Sequence, residues 1–152
     1  DVLAETLGLT EVSVLNPVGT DAQGRPYGLI RTGMVREQRL AEFAAFVKSA
    51  LPCPGLRFAD AGKPVRRVAV GGGSCGGAID DVLAAGCDTL VTADLKYNHF
   101  EEAKYRGLNL IDAGHFETEN PVCAVLERVV REALPELTVL RAKAHKDETQ
   151  FL

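Results

Sequence analysis

From Val65 onward, short β-branched runs alternate with amphipathic stretches that end in glycine, and this alternation constrains the fold more than any other feature. Val65-Arg66-Arg67-Val68-Ala69-Val70 reads as a strand, and a short helix follows over about 78–85, closed by Gly86. Residues 88–92 form the next strand, about 98–105 a helix closed by Gly107, and 108–111 a buried strand. The longest helix is predicted over about 117–134, with a last strand at 137–140 and a polar tail beyond. Such an order predicts an α/β fold, a layered sheet with helices on both faces, whose strands between 65 and 140 are largely parallel.

The first sixty residues read as connecting strands and a helix, and 65–152 as the alternating lobe. Residues 2–7 look like the end of a helix capped by Gly8. Strands are expected at 11–15 and 27–35, separated by turn composition from Gly19 to Pro26. Leu40, Phe43, Ala44, Val47 and Leu51 recur at helical spacing, predicting a helix over 36–51 that Pro52 and Pro54 terminate.

Composition narrows the function classes. The net charge of −4 and the lack of clustered Lys and Arg argue against a nucleic-acid partner. No apolar run approaches the roughly 20 residues needed to span a bilayer, and no signal peptide is visible. None of the four cysteines, Cys53, Cys75, Cys87 and Cys123, forms a C-x-x-C pair, so they read as reduced thiols of a cytoplasmic protein. Cys75, in a backbone-rich turn before a helix, is the candidate for an activated thiol.

Two stretches carry candidate chemistry. Gly71-Gly72-Gly73-Ser74-Cys75-Gly76-Gly77 follows a strand, opens a helix and contains G-x-G-x-x-G. It permits three readings: a pyrophosphate-binding turn, a turn that lets the backbone pass another element, or the backbone wall of some other pocket. Asp80 and Asp81 in the following helix would repel a pyrophosphate, and no Gly-Lys-Ser/Thr of a Walker A loop is present.

The second stretch is Ile111-Asp112-Ala113-Gly114-His115-Phe116-Glu117-Thr118-Glu119, at the exit of a buried strand, where α/β folds place their ligand sites. One helical turn separates His115 from Glu119, so both side chains project to one side. An imidazole and a carboxylate suit zinc, manganese or iron. Asp112 is the expected acceptor for the second ring N–H of His115. Asp94 and Lys96, at the preceding strand exit, are candidates to face the same cleft. A helix-start histidine hydrogen-bonded to a neighbouring acid explains the spacing equally well, and two ligands alone do not hold a catalytic ion.

These strings, with Asp88-Thr89-Leu90-Val91-Thr92-Ala93-Asp94-Leu95-Lys96-Tyr97 and the earlier Leu3-Ala4-Glu5-Thr6-Leu7-Gly8-Leu9 and Gly28-Leu29-Ile30-Arg31-Thr32-Gly33, resemble the closing half of Nif-three-like dinuclear metal-centre proteins. Many of these are labelled homologues of type-two GTP cyclohydrolase I. The resemblance implies the C-terminal part of a two-lobed fold, with His115 and Glu119 as ligands of a pair of divalent ions. It also implies that paired histidines and an aspartate of an N-terminal half, which have no counterpart in these residues, complete the site. Where many relatives read Lys-Tyr-His, this chain reads Lys96-Tyr97-Asn98, with His99 one place later. The resemblance further implies a hexameric homo-oligomer and a nucleotide substrate for a metal-dependent hydrolase-like enzyme. A regulatory or scaffolding hexamer component with structural metal is the competing expectation.

Overall fold

The computed structural model describes residues 1–152. Six strands form one mixed sheet in the order β1-β4-β6-β7-β8-β5. They are β1 (Thr10–Leu15), β4 (Ile30–Gln38), β5 (Arg57–Ala59), β6 (Val65–Gly71), β7 (Thr89–Thr92) and β8 (Asn109–Asp112). Between β1 and β4 a small ribbon pairs β2 (Gly19–Thr20) with β3 (Pro26–Tyr27). The centre is parallel: β6 pairs with β7 and β7 with β8, while β1, β4 and β5 add antiparallel edges. Both halves of the chain, before and after residue 60, thus contribute to one sheet.

Alternation along the central strands feeds two cores, as the pleat requires. Val68, Val70, Val91 and Ile111 point to the face covered by α1 (Val2–Thr6) and α2 (Leu40–Ala50), where they meet Ala4, Leu40, Phe43 and Val47. Ala69, Leu90 and Leu110 point to the other face, against Ile79 and Val82 of α3 (Ile79–Ala84) and Ala103 of α4 (Tyr97–Tyr105). The predicted arrangement of helices on both faces is therefore present. Each large buried side chain here contributes about 1.5–3 kcal/mol through removal from water.

Three expectations are corrected, and one strand is added. The strand read as 27–35 runs from Ile30 to Gln38, because pairing of Gln38 with Val65 extends it through residues that look helical in isolation. The long helix is two: α5 (His115–Glu119) and α6 (Val122–Ala133). Pro121 divides them, since it lacks an N–H and its ring clashes with the carbonyl four residues back. Leu137–Leu140 form no strand; nothing pairs with them, and only Arg131 donates to the Val139 carbonyl, at 2.9 Å. Finally, β5 is a strand that the pattern does not announce. No helix is long and apolar enough to cross a membrane.

Candidate metal centre

The site is built where β6, β7 and β8 end. Beyond β8 the chain passes Gly114 and enters α5. Gly114 adopts φ +85°, and a Cβ there would lie 2.1 Å from the Glu117 carboxylate, so the sharp entry into α5 depends on glycine. The hydroxyl of Thr118 lies 2.8 Å from the Gly114 carbonyl and 3.1 Å from that of His115, which braces this five-residue helix from within. The same hydroxyl accepts the buried N–H of Gly73 at 3.0 Å.

Gly73 is therefore fixed to α5, and its carbonyl is fixed to the exit of β7. That carbonyl accepts from the Thr92 hydroxyl at 2.7 Å and from the Ala93 N–H at 2.9 Å. Gly73 has φ +63°, and a Cβ there would meet Glu119 Oε1 at 2.7 Å and His115 Nε2 at 3.0 Å. The glycine turn thus passes close against α5 and the exit of β7, with the Gly73 backbone beside His115 and Glu119.

His115 Nε2 faces Glu119 Oε1 at 3.3 Å, so the two side chains converge. The other ring nitrogen, Nδ1, is 2.6 Å from Asp94 Oδ2. Asp94, chiefly through this hydrogen bond, holds the imidazole above its ordinary value of 6.5. When the ring is neutral, this contact favours a proton on Nδ1 and leaves the Nε2 lone pair directed toward Glu119. His115, Asp94 and Glu119 remain about half exposed, open to a ligand.

Asp112 does not accept from the His115 ring, contrary to expectation. Its carboxylate turns the other way, accepting the Leu95 N–H at 3.1 Å and the Gly114 N–H at 3.3 Å and pairing with Arg57. The acceptor for the imidazole is Asp94, on a different strand exit. Lys96 is exposed beside Asp94, and no ion pair joins it to the cluster. Its N–H donates to His99 Nδ1 at 3.2 Å, and the His99 ring packs against Gly76, half-buried rather than free on the surface.

Cys75 is buried, and that burial pushes its thiol upward, so it is not the activated thiol that its position suggests. The polar tail returns to the site, with His145 still exposed. The His145 ring lies 5.0 Å from that of Phe116, and His145 and Asp147 share with His115 and Glu119 the lining of a cavity of about 450 Å³. No periodic signal in the tail foreshadows that return.

The donor set fits a divalent ion in kind but not in number. One imidazole with a carboxylate behind it and one facing carboxylate are suitable ligands. No three His, Cys, Asp or Glu side chains converge to hold an ion by themselves.

Residues 1–148 match the family model described as Duf34/NIF3 (NGG1p interacting factor 3). A "GTP cyclohydrolase 1 type 2 homolog" of Nostoc sp. is 39% identical over 135 residues, covering 86% of this chain and 49% of that protein. One of the same name from Streptomyces coelicolor is 40% identical over 128 residues, covering 81% and 45%. Among solved structures, Staphylococcus aureus hypothetical protein SA1388 superposes with TM-score 0.86 at 24% identity, over 99% of this chain and 63% of that one. The Bacillus cereus protein related to NIF3 gives 0.84 at 21% identity, over 100% and 69%. The chain spans about half the length of these two curated relatives.

Proposed function

This chain belongs to the Duf34/NIF3 family, and from that premise we propose that it is a metal-binding part of a dinuclear-metal, hydrolase-like enzyme, with His115 and Glu119 as ligands. The observation that carries this is the imidazole held between two carboxylates, Asp94 on Nδ1 at 2.6 Å and Glu119 facing Nε2 at 3.3 Å. Asp94 keeps the Nδ1 proton and the ring plane fixed, so Nε2 and Glu119 offer a nitrogen and an oxygen to one point. The Gly73 turn closes that point from behind with backbone alone.

Zinc, manganese or iron suits these donors, and a pair of such ions supplies Lewis acidity and eases the loss of a proton from water. Three protein ligands are usual for a catalytic ion, so further ligands come from outside this group. Relatives named for GTP cyclohydrolase suggest a nucleotide substrate. The assembly we propose is a homo-oligomer, a hexamer in the complete protein, in the cytoplasm, where four unpaired cysteines are at home.

The experiment is metal loading followed by mass spectrometric metal content, on the parent chain and on His115→Ala. Loss of bound zinc or manganese in the variant supports the assignment; unchanged content overturns it. A second reading, a scaffolding hexamer with structural metal, draws on α6, none of whose residues is buried although Val122, Leu126 and Val129 line one side. Turnover of GTP by metal-loaded protein separates the two readings: ring opening favours the enzyme, and metal retention without turnover favours the scaffold.

A further inference from the structure

Asp94 holds His115 from an unfavourable backbone conformation. Its φ is +53°, in the left-handed region that residues other than glycine rarely adopt. Such a residue stays there only when its surroundings over-determine it. The restraint comes from Asp112, which is 6% exposed. One carboxylate oxygen accepts the N–H of Leu95, the residue after Asp94, at 3.1 Å. The other accepts the N–H of Gly114, the residue before His115, at 3.3 Å. A single side chain thus grips both loops whose tips meet in the Asp94–His115 hydrogen bond.

A buried carboxylate needs a countercharge, and Arg57 supplies it. Arg57 lies directly opposite Asp112 in the antiparallel pairing of β5 with β8. Its Nη2 pairs with Asp112 and also donates to the Leu95 carbonyl at 2.9 Å. The Leu95 residue is therefore held by its N–H from Asp112 and by its carbonyl from Arg57. The guanidinium lies over the Phe100 ring, 5.2 Å from its centroid, which fixes the plane of the fork. None of this is needed to form β5, whose other two residues pair with β8 through backbone alone.

We propose that Arg57 and Asp112 are a positioning pair that fixes the Asp94 loop against His115 and so sets which ring nitrogen is free to bind metal. The consequence for metal rests on the assignment of His115 and Glu119 given above; the consequence for the imidazole does not. Removing Arg57 should free the Leu95 carbonyl, let Asp94 relax out of the left-handed region and leave the His115 ring unrestrained. Lysine at the same position retains the charge but not the planar fork.

The test is ¹⁵N NMR of the imidazoles in the metal-free protein above the His115 titration, in the parent chain, Arg57→Met, Arg57→Gln and Arg57→Lys. The Arg57 side chain is 61% exposed, so these variants should fold, and circular dichroism checks that they do. The parent should show His115 protonated on Nδ1. In Arg57→Met and Arg57→Gln that signal should move to the mixture of an unrestrained imidazole, with zinc affinity falling about 10–100-fold. Arg57→Lys should recover part of both. A folded Arg57→Met or Arg57→Gln with the parent's Nδ1–H signature overturns the proposal, whatever metal does. If the parent itself binds no zinc or manganese, the metal assignment fails while the nitrogen signatures still decide on the positioning pair.

Discussion

Gly73→Ala separates the backbone role of the glycine turn from its role as a wall of the site. Gly73 has φ +63°, and placing an L-residue there costs about 1–2 kcal/mol. Restricting the unfolded chain returns about 0.4–1 kcal/mol. The net loss of roughly 1 kcal/mol lowers the melting temperature by about 2–4 °C in a chain of this size. The new methyl would also lie 2.7 Å from Glu119 Oε1 and 3.0 Å from His115 Nε2. Both are ends of side chains that can turn aside, so the fold is spared, but the pair must separate by about half an ångström, the limit that a ligand constellation tolerates. Metal affinity should fall at least about tenfold. Gly86→Ala is the control: its φ is +73°, and a Cβ there meets nothing within 4 Å. Calorimetry of both variants, by thermal scan and by zinc titration, checks the reasoning. Equal melting losses with unequal zinc affinities are expected; equal zinc affinities would refute the idea that Gly73 shapes the site.

Other consequences can be measured directly. Thr118→Val leaves the Gly73 N–H buried without an acceptor and should cost about 1–3 kcal/mol in urea denaturation. Asp94→Asn should bring the His115 titration, followed by its ring proton NMR signal, back down toward 6.5. The sign follows from the raised value in the fold: the Asp94–His115 contribution to stability is complete below the unfolded value, near 6.5, and is lost as pH rises through the folded one. Cys53, pushed up to about 11 by burial and by the charge of Glu117, should resist iodoacetamide at pH 8 in the native protein, while the partly exposed Cys123 reacts. Val122, Leu126, Val129 and Leu134 are exposed on and just beyond α6, so light scattering should find self-association; a monomer at high concentration would contradict that.

How much of this could be read in advance depended on whether a residue's role was periodic or relational. Val68-Ala69-Val70, Leu90-Val91 and Leu110-Ile111 are unbroken apolar runs separated by helical stretches, and that order announced a sheet covered by helices on both faces. Arg57-Phe58-Ala59 has no such signature, because this edge strand is held by its pairing with β8. The run at Leu137–Leu140 looks like a strand, but a strand needs a neighbour and none is available. That the His115 and Glu119 side chains converge was legible from a spacing of four. The partner of His115 was not, since Asp94 and Asp112 both follow strand exits and only the three-dimensional path decides which carboxylate turns toward the ring.

Ring-proton NMR during addition of a few per cent of Mn²⁺ addresses the metal site in this chain alone, because its three histidines, His99, His115 and His145, serve as internal comparisons. Selective broadening of His115, abolished in Glu119→Gln, is the result expected from an imidazole and a carboxylate sharing one ion. Broadening that first strikes His99 or His145, or that persists without the Glu119 carboxylate, would contradict it.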